Sequence, residues 1–134
     1  MVIVRLHVTD CTEGYTVYAS LINSDDVISG VNGPEYDDGD ILGQTMFTIG
    51  ADGSGGDAFF SIGSSFDPVE VPEWENYDVL LMIDSNDNFD LSTFTGASDE
   101  GDSNGWLSNQ TLIDSTIISI SITDPPENLE IVTY

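Results

Sequence analysis

The sequence predicts an all-β fold: a two-layer antiparallel β-sandwich, Ig-like or jelly-roll-like, with seven to eight strands and little helix, in a single β-sandwich domain spanning residues 1–134. Three observations carry this expectation. Apolar residues alternate with period two in run after run. Clusters of Gly, Asp, Asn and Pro separate the runs. No stretch of eleven or more residues sets apolar side chains at helical spacing among good helix formers.

The first run sets Val2, Val4, Leu6 and Val8 against Ile3, Arg5, His7 and Thr9, which places both basic side chains on one side. In the second, Tyr15, Val17, Ala19 and Leu21 oppose Thr16, Tyr18, Ser20 and Ile22. The run from Ile41 to Ile49 and the run from Ala58 to Ile62 are expected to pair as a hairpin through the glycine-dense segment Gly50–Asp57, which offers the positive φ angles of a tight connection. Tyr77–Ile83 is apolar on both faces apart from Asp78, the pattern of a central strand covered on both sides. Thr116–Thr123 alternates cleanly, Pro125-Pro126 ends it, and Leu129–Tyr134 supplies a last short strand. Val27–Val31 and Leu91–Thr95 are further strand candidates, and Asn109–Ser115 has room for one helical turn. The first and last strands are expected at sheet edges, where pairing with a neighbouring chain is invited.

At 134 residues and 40% hydrophobic content, with aromatics spread through the chain, the sequence can bury a core and does not have the composition of a disordered acidic tail. Its longest near-continuous apolar run, Val79–Ile83, falls far short of the roughly 20 residues of a membrane-spanning helix. No basic segment or cleavage site precedes the first strand, so no export signal is read. Cys11 is alone and forms no internal disulfide, leaving packing to hold the fold. Asn109-Gln110-Thr111 is a glycosylation sequon of a common three-residue form.

Charge is the strongest bias. Seventeen Asp and eight Glu stand against one arginine, Arg5, and no lysine, for a formal charge of -24. Most acids fall between the predicted strands, where the short Asp side chain also suits turns. Such a surface repels itself in dilute buffer, whereas at 1 M salt the Debye length falls to about 3 Å and neighbouring carboxylates scarcely interact. The composition therefore points to a hypersaline environment or to bound divalent cations. Nucleic acid and anionic membranes are disfavoured as partners, because both draw affinity from Lys and Arg.

Three acidic segments have the chemistry of hard-cation loops. Asp84, Asn86, Asn88 and Asp90 carry oxygen ligands at alternate positions, as calcium loops do, although Phe89 stands where such a loop has Gly and Thr95 where it has Glu. Asp99 and Asp102 flank a second cluster, Asp99–Gly105, and Glu35–Asp40 forms a third. Ca²⁺ is the cofactor this chemistry names, with solvated loops as the competing account. Trp74 and Trp106 are the candidate ligand-binding residues, since a flat apolar ring with a polar tip suits a sugar; packing at the ends of the sandwich is the alternative for both. No catalytic residues are assigned. His7 is the one imidazole and lies on a strand beside Arg5, with Cys11 directed away from it, and Gly50–Gly56 lacks the Lys and Ser/Thr of a phosphate-binding loop.

From these readings the expectation is a non-enzymatic structural or assembly protein of a halophilic archaeon or its virus: a capsid, decoration, turret or tail component. It is expected in a homo- or hetero-oligomeric assembly, on a virion or extracellular surface, after synthesis in a high-salt cytoplasm. The alternative is a Ca²⁺-dependent extracellular module that binds a glycan.

Overall fold

The computed structural model describes residues 1–9, 11–30, 33–52, 56–62, 67–84, 103–113, 117–121 and 130–131. Over these residues the chain is all-β. In order the strands are β1 (Val2–Ile3), β2 (Arg5–Thr9), β3 (Thr16–Asn23), β4 (Ile28–Gly30), β5 (Gly33–Glu35), β6 (Ile41–Thr48), β7 (Gly56–Phe59), β8 (Glu70–Val71), β9 (Asn76–Asp84), β10 (Ser103–Thr111), β11 (Ile117–Ser121) and β12 (Glu130–Ile131). Helical structure among the described residues is confined to two 3-10 turns, Ser24–Asp26 and Asp38–Asp40.

A five-stranded sheet has the order β12-β10-β9-β3-β6 and a three-stranded sheet the order β11-β2-β7; β1 pairs with β8 and β4 with β5. Every ladder is antiparallel except β2 with β11, which is parallel and aligns Arg5 with Ile117 and Thr9 with Ser121. The sequence pattern predicted only antiparallel pairing, since alternation along one strand carries no information about the direction of its neighbour.

One apolar cluster joins the sheets. Leu6 and Val8 of β2 meet Val17, Ala19 and Leu21 of β3 and Tyr77, Val79, Leu81 and Ile83 of β9, with Val2, Val4, Ile49, Phe60, Val69, Val71 and Leu112 completing it. The grouping by face in the first two runs holds: Val2, Val4, Leu6 and Val8 enter this cluster together, as do Val17, Ala19 and Leu21 with Tyr15 at its margin, while Tyr18, Ser20 and Ile22 on the other face of β3 are buried as well. Each fully buried Val, Leu or Phe side chain contributes about 1.5–3 kcal/mol relative to exposure. Cys11, the one cysteine of the chain, is buried in the same core.

Four expectations are corrected. The runs at 41–49 and 58–62 do not form a hairpin: β6 pairs with β3 and β7 with β2, so the glycine-rich connection leads from one sheet to the other. What remains between the two runs is a single bridge, Gln44 with Ser61. The first run is an edge only in part: β1 pairs with β8 alone, whereas β2 lies between β11 and β7. Ser103–Thr111 is a nine-residue strand where only acidic loop and a helical turn were read; its polar Ser, Asn and Gln residues masked the pattern. β5 was likewise missed, because Gly and Pro within three residues argue against strand. The predicted strand Leu91–Thr95 lies outside the described residues.

Gly43 marks where β6 closes on the bridge strand. A Cβ placed there would lie 2.6 Å from Val69 Cγ2, 3.2 Å from Phe60 Cβ and 3.3 Å from the Ser61 carbonyl oxygen, none of them the tip of a flexible side chain. Gly43→Ala is therefore expected to destabilise the domain by about 1–3 kcal/mol through overpacking, read as a lowered denaturation midpoint with unchanged cooperativity.

Candidate functional site

β9 is the third strand of the five-stranded sheet and is buried on both faces from Tyr77 to Asp84. Its odd positions enter the main core. On its other face Leu80 joins Ile22 of β3 and Trp106 of β10 in a second cluster, against which Val27, Tyr36 and Ile41 pack. Asp78 lies on that face and is 3% exposed.

A carboxylate in such a place must be hydrogen-bonded or very costly. Asp78 accepts three bonds: the Ser24 hydroxyl donates to Oδ1 at 2.6 Å, the Trp106 indole Nε1–H to Oδ2 at 2.8 Å, and the Asn109 backbone N–H to Oδ1 at 2.9 Å. Local structure supplies each donor. Ser24 opens the 3-10 turn after β3, capped by Asn23, whose side chain accepts from Asp25 N–H. Asn109 has a left-handed φ of 54° at the point where the β9–β10 register shifts between Leu107 and Gln110. A bulge of this kind turns one backbone group out of the ladder, here toward the carboxylate. Asp78 thereby ties β3, β9 and β10 together with neutral donors alone.

Trp106 is accordingly a packing residue, 9% exposed, with its one polar atom engaged by Asp78. It sits on a strand and not in an acidic loop, so the packing account given for it at the sequence level is the one its surroundings support. Trp74 differs: it is 74% exposed and has a left-handed φ of 64°. Its backbone N–H donates to the Leu112 carbonyl at 2.7 Å, which holds the turn against the end of β10. Of the two indoles, only Trp74 presents its ring to solvent.

Asp84 ends β9 and is 2% exposed. Asn86, Asn88, Asp90, Asp99 and Asp102 lie outside the described residues. The third acidic cluster is described: Glu35 ends β5 and Asp38–Asp40 forms a 3-10 turn. Among the described residues no three His, Cys, Asp or Glu side chains are grouped as metal ligands would be. Also among them, no helix is long and apolar enough to cross a membrane.

Arg5 and His7 share a face of β2, as alternation predicted, and both are half-buried. The Arg5 guanidinium lies over the Phe59 ring, 5.3 Å from its centroid, a cation–π contact that shields part of its charge from water. His7 stands in register with Asp57 of β7 and Ser119 of β11. Tyr77, 1% exposed, donates its hydroxyl to the Pro72 carbonyl at 3.1 Å and to Glu75 Oε2 at 3.2 Å. Burial first, and the adjacent Glu75 carboxylate second, push its phenol from an ordinary 10.0 up to about 12.

The feature sequence reasoning did not resolve is the Asp78 node. Its signal was present: a single acid inside the most apolar run of the chain, which under the rule that buried charges are satisfied implies nearby donors. Which donors they are depends on the bulge at Asn109, which no pattern announces.

No protein-family model matches the chain, and neither curated proteins nor solved structures give a match.

Two outcomes follow from the geometry. Trp106→Phe keeps most of the packing volume but removes the donor to Oδ2, and Asp78→Asn puts an amide N–H₂ where a donor already points. Each should cost about 1–3 kcal/mol in a denaturant titration, and the double variant should cost less than the sum. Tyr77 has a folded pKa above its unfolded value, so its contribution is fully present below pH 10.0 and is lost as pH rises toward about 12. Alkaline unfolding of Tyr77→Phe should show a shallower loss of stability across that window, with ultraviolet absorbance following phenolate formation.

Proposed function

We propose that this chain is a non-enzymatic structural or assembly protein of a halophilic archaeon or its virus, such as a capsid, decoration, turret or tail component. In this reading the five-stranded and three-stranded sheets are the two layers of a sandwich. The chain works in a homo- or hetero-oligomeric assembly on a virion or extracellular surface, without nucleic acid or membrane insertion.

The observation that carries the proposal is the distribution of charge. Of the carboxylates whose side chains are described, only Asp78 and Asp84 are buried. The others stand at the surface of a chain with formal charge -24 and one arginine. Among the described residues the opposing charge is the Met1 ammonium, paired with Glu73, and Arg5, so screening by concentrated ions is what the surface calls for. The apolar side chains, by contrast, gather into two clusters that give the domain a rigid body of the kind an assembly uses.

Trp74 favours one second reading, a Ca²⁺-dependent module that binds a glycan. An exposed indole held at positive φ by a backbone bond to Leu112 is a ring presented to solvent by design of the turn. The cation would be held by the segment that Asp84 opens.

Purified protein at about 3 M NaCl is expected to be folded and multimeric, and at about 0.1 M NaCl to lose its near-ultraviolet circular dichroism or its association. A cooperative melt at high temperature in dilute, metal-free buffer would overturn the screening argument. Chelation at high salt separates the two readings: an assembly part keeps its fold and its multimers, whereas a calcium module loses stability or glycan retention.

A further inference from the structure

Three stretches of eleven residues carry no charged side chain: Gly14–Ser24, Ile41–Ala51 and Ser103–Ile113. They contain β3, β6 and β10. β3 and β10 each have a neighbour on both sides in the five-stranded sheet, which accounts for their neutrality; β6 is at its edge. Natural edge strands are commonly guarded by charge, Pro or extreme shortness. In a chain so rich in acids, an eight-residue edge strand lacks all three.

The phase of its hydrogen bonding is set at both ends. Ile49 N–H donates inward to the Tyr15 carbonyl at 2.8 Å, and Gln44 exchanges both of its backbone bonds outward with Ser61, at 2.9 and 3.0 Å. Alternation along an antiparallel ladder then directs Thr45 and Phe47 toward β3, and Met46 and Thr48 away from it. Ser61 satisfies Gln44. Among the described residues no strand takes the outward groups of Met46 and Thr48, and both side chains are exposed, Met46 at 54%.

We propose that β6 is a strand-addition edge for a second copy of this chain, paired antiparallel about a two-fold axis through Phe47. In that register Met46 of one copy opposes Thr48 of the other, a bonded pair forms on each side of Phe47, and the Gln44–Ser61 bridge is left intact. Charge selects the occupant. Two bodies of charge -24 can approach only where neither presents carboxylates, and β6 against β6 meets that condition on both sides of the contact. The proposal rests on the assembly reading and names its contact.

The test is sedimentation of the full-length chain at about 3 M NaCl, where screening lets copies approach. Met46→Pro removes an outward N–H without touching the bonds to β3, and Thr48→Asp places carboxylates along the pairing line. Each is expected to weaken self-association at least about tenfold, with near-ultraviolet circular dichroism and thermal midpoint retained. Multimers that persist in both folded variants overturn the β6 contact and leave the assembly reading standing. A wild-type chain that sediments as a monomer at every salt concentration overturns both.

Discussion

Apolar contact between the inward faces of β2, β3 and β9 is the interaction on which everything else depends. A domain with a single arginine cannot distribute ion pairs over its surface, and its formal charge of -24 acts against compactness. Stability must come from side chains that carry no charge. Leu6, Val8, Val17, Leu21 and Val79 are each fully excluded from solvent, in a core that has no alternative source of cohesion.

Asp78 shows how strict that separation is. An acid inside the most buried strand is tolerated only because three neutral donors converge on it, each fixed by a different local device: a 3-10 turn, a packed indole and a bulge. The node also explains why the outer face of β9 is covered at all. Trp106 cannot donate to Asp78 without laying its ring over Leu80 and Ile22, so satisfying the charge and burying the second cluster are one arrangement.

Much of the fold was legible because period-two alternation in β1 and β2 is a direct imprint of burial on one face, and the unbroken apolarity of β9 of burial on both. Val2, Val4, Leu6 and Val8 all point where the pattern puts them, and Tyr77–Ile83 is central as its double-faced apolarity implies. Pairing was less legible. β6 and β7 are near in sequence and alternate well, yet join different sheets, because adjacency along the chain does not determine which edge a strand meets. β10 escaped notice since its solvent-side and bulge positions are Ser, Asn and Gln, which read as loop. Of the candidate ligands, Trp74 and Trp106 look alike in sequence. Only the bond from the indole to Asp78 distinguishes a core ring from an exposed one.

The parallel pairing of β2 with β11 bears on the order in which this molecule can be made. Arg5 to Thr9 are synthesised well before Ile117 to Ser121, one of the two neighbours they need. The central strand of the three-stranded sheet must therefore wait with one backbone edge unpaired until Ile117 to Ser121 have left the ribosome. A topology so dominated by distant contacts folds slowly and late. For a nascent segment as apolar as Val2 to Val8, the flanking acids then have a second use, keeping unfinished chains apart while they wait.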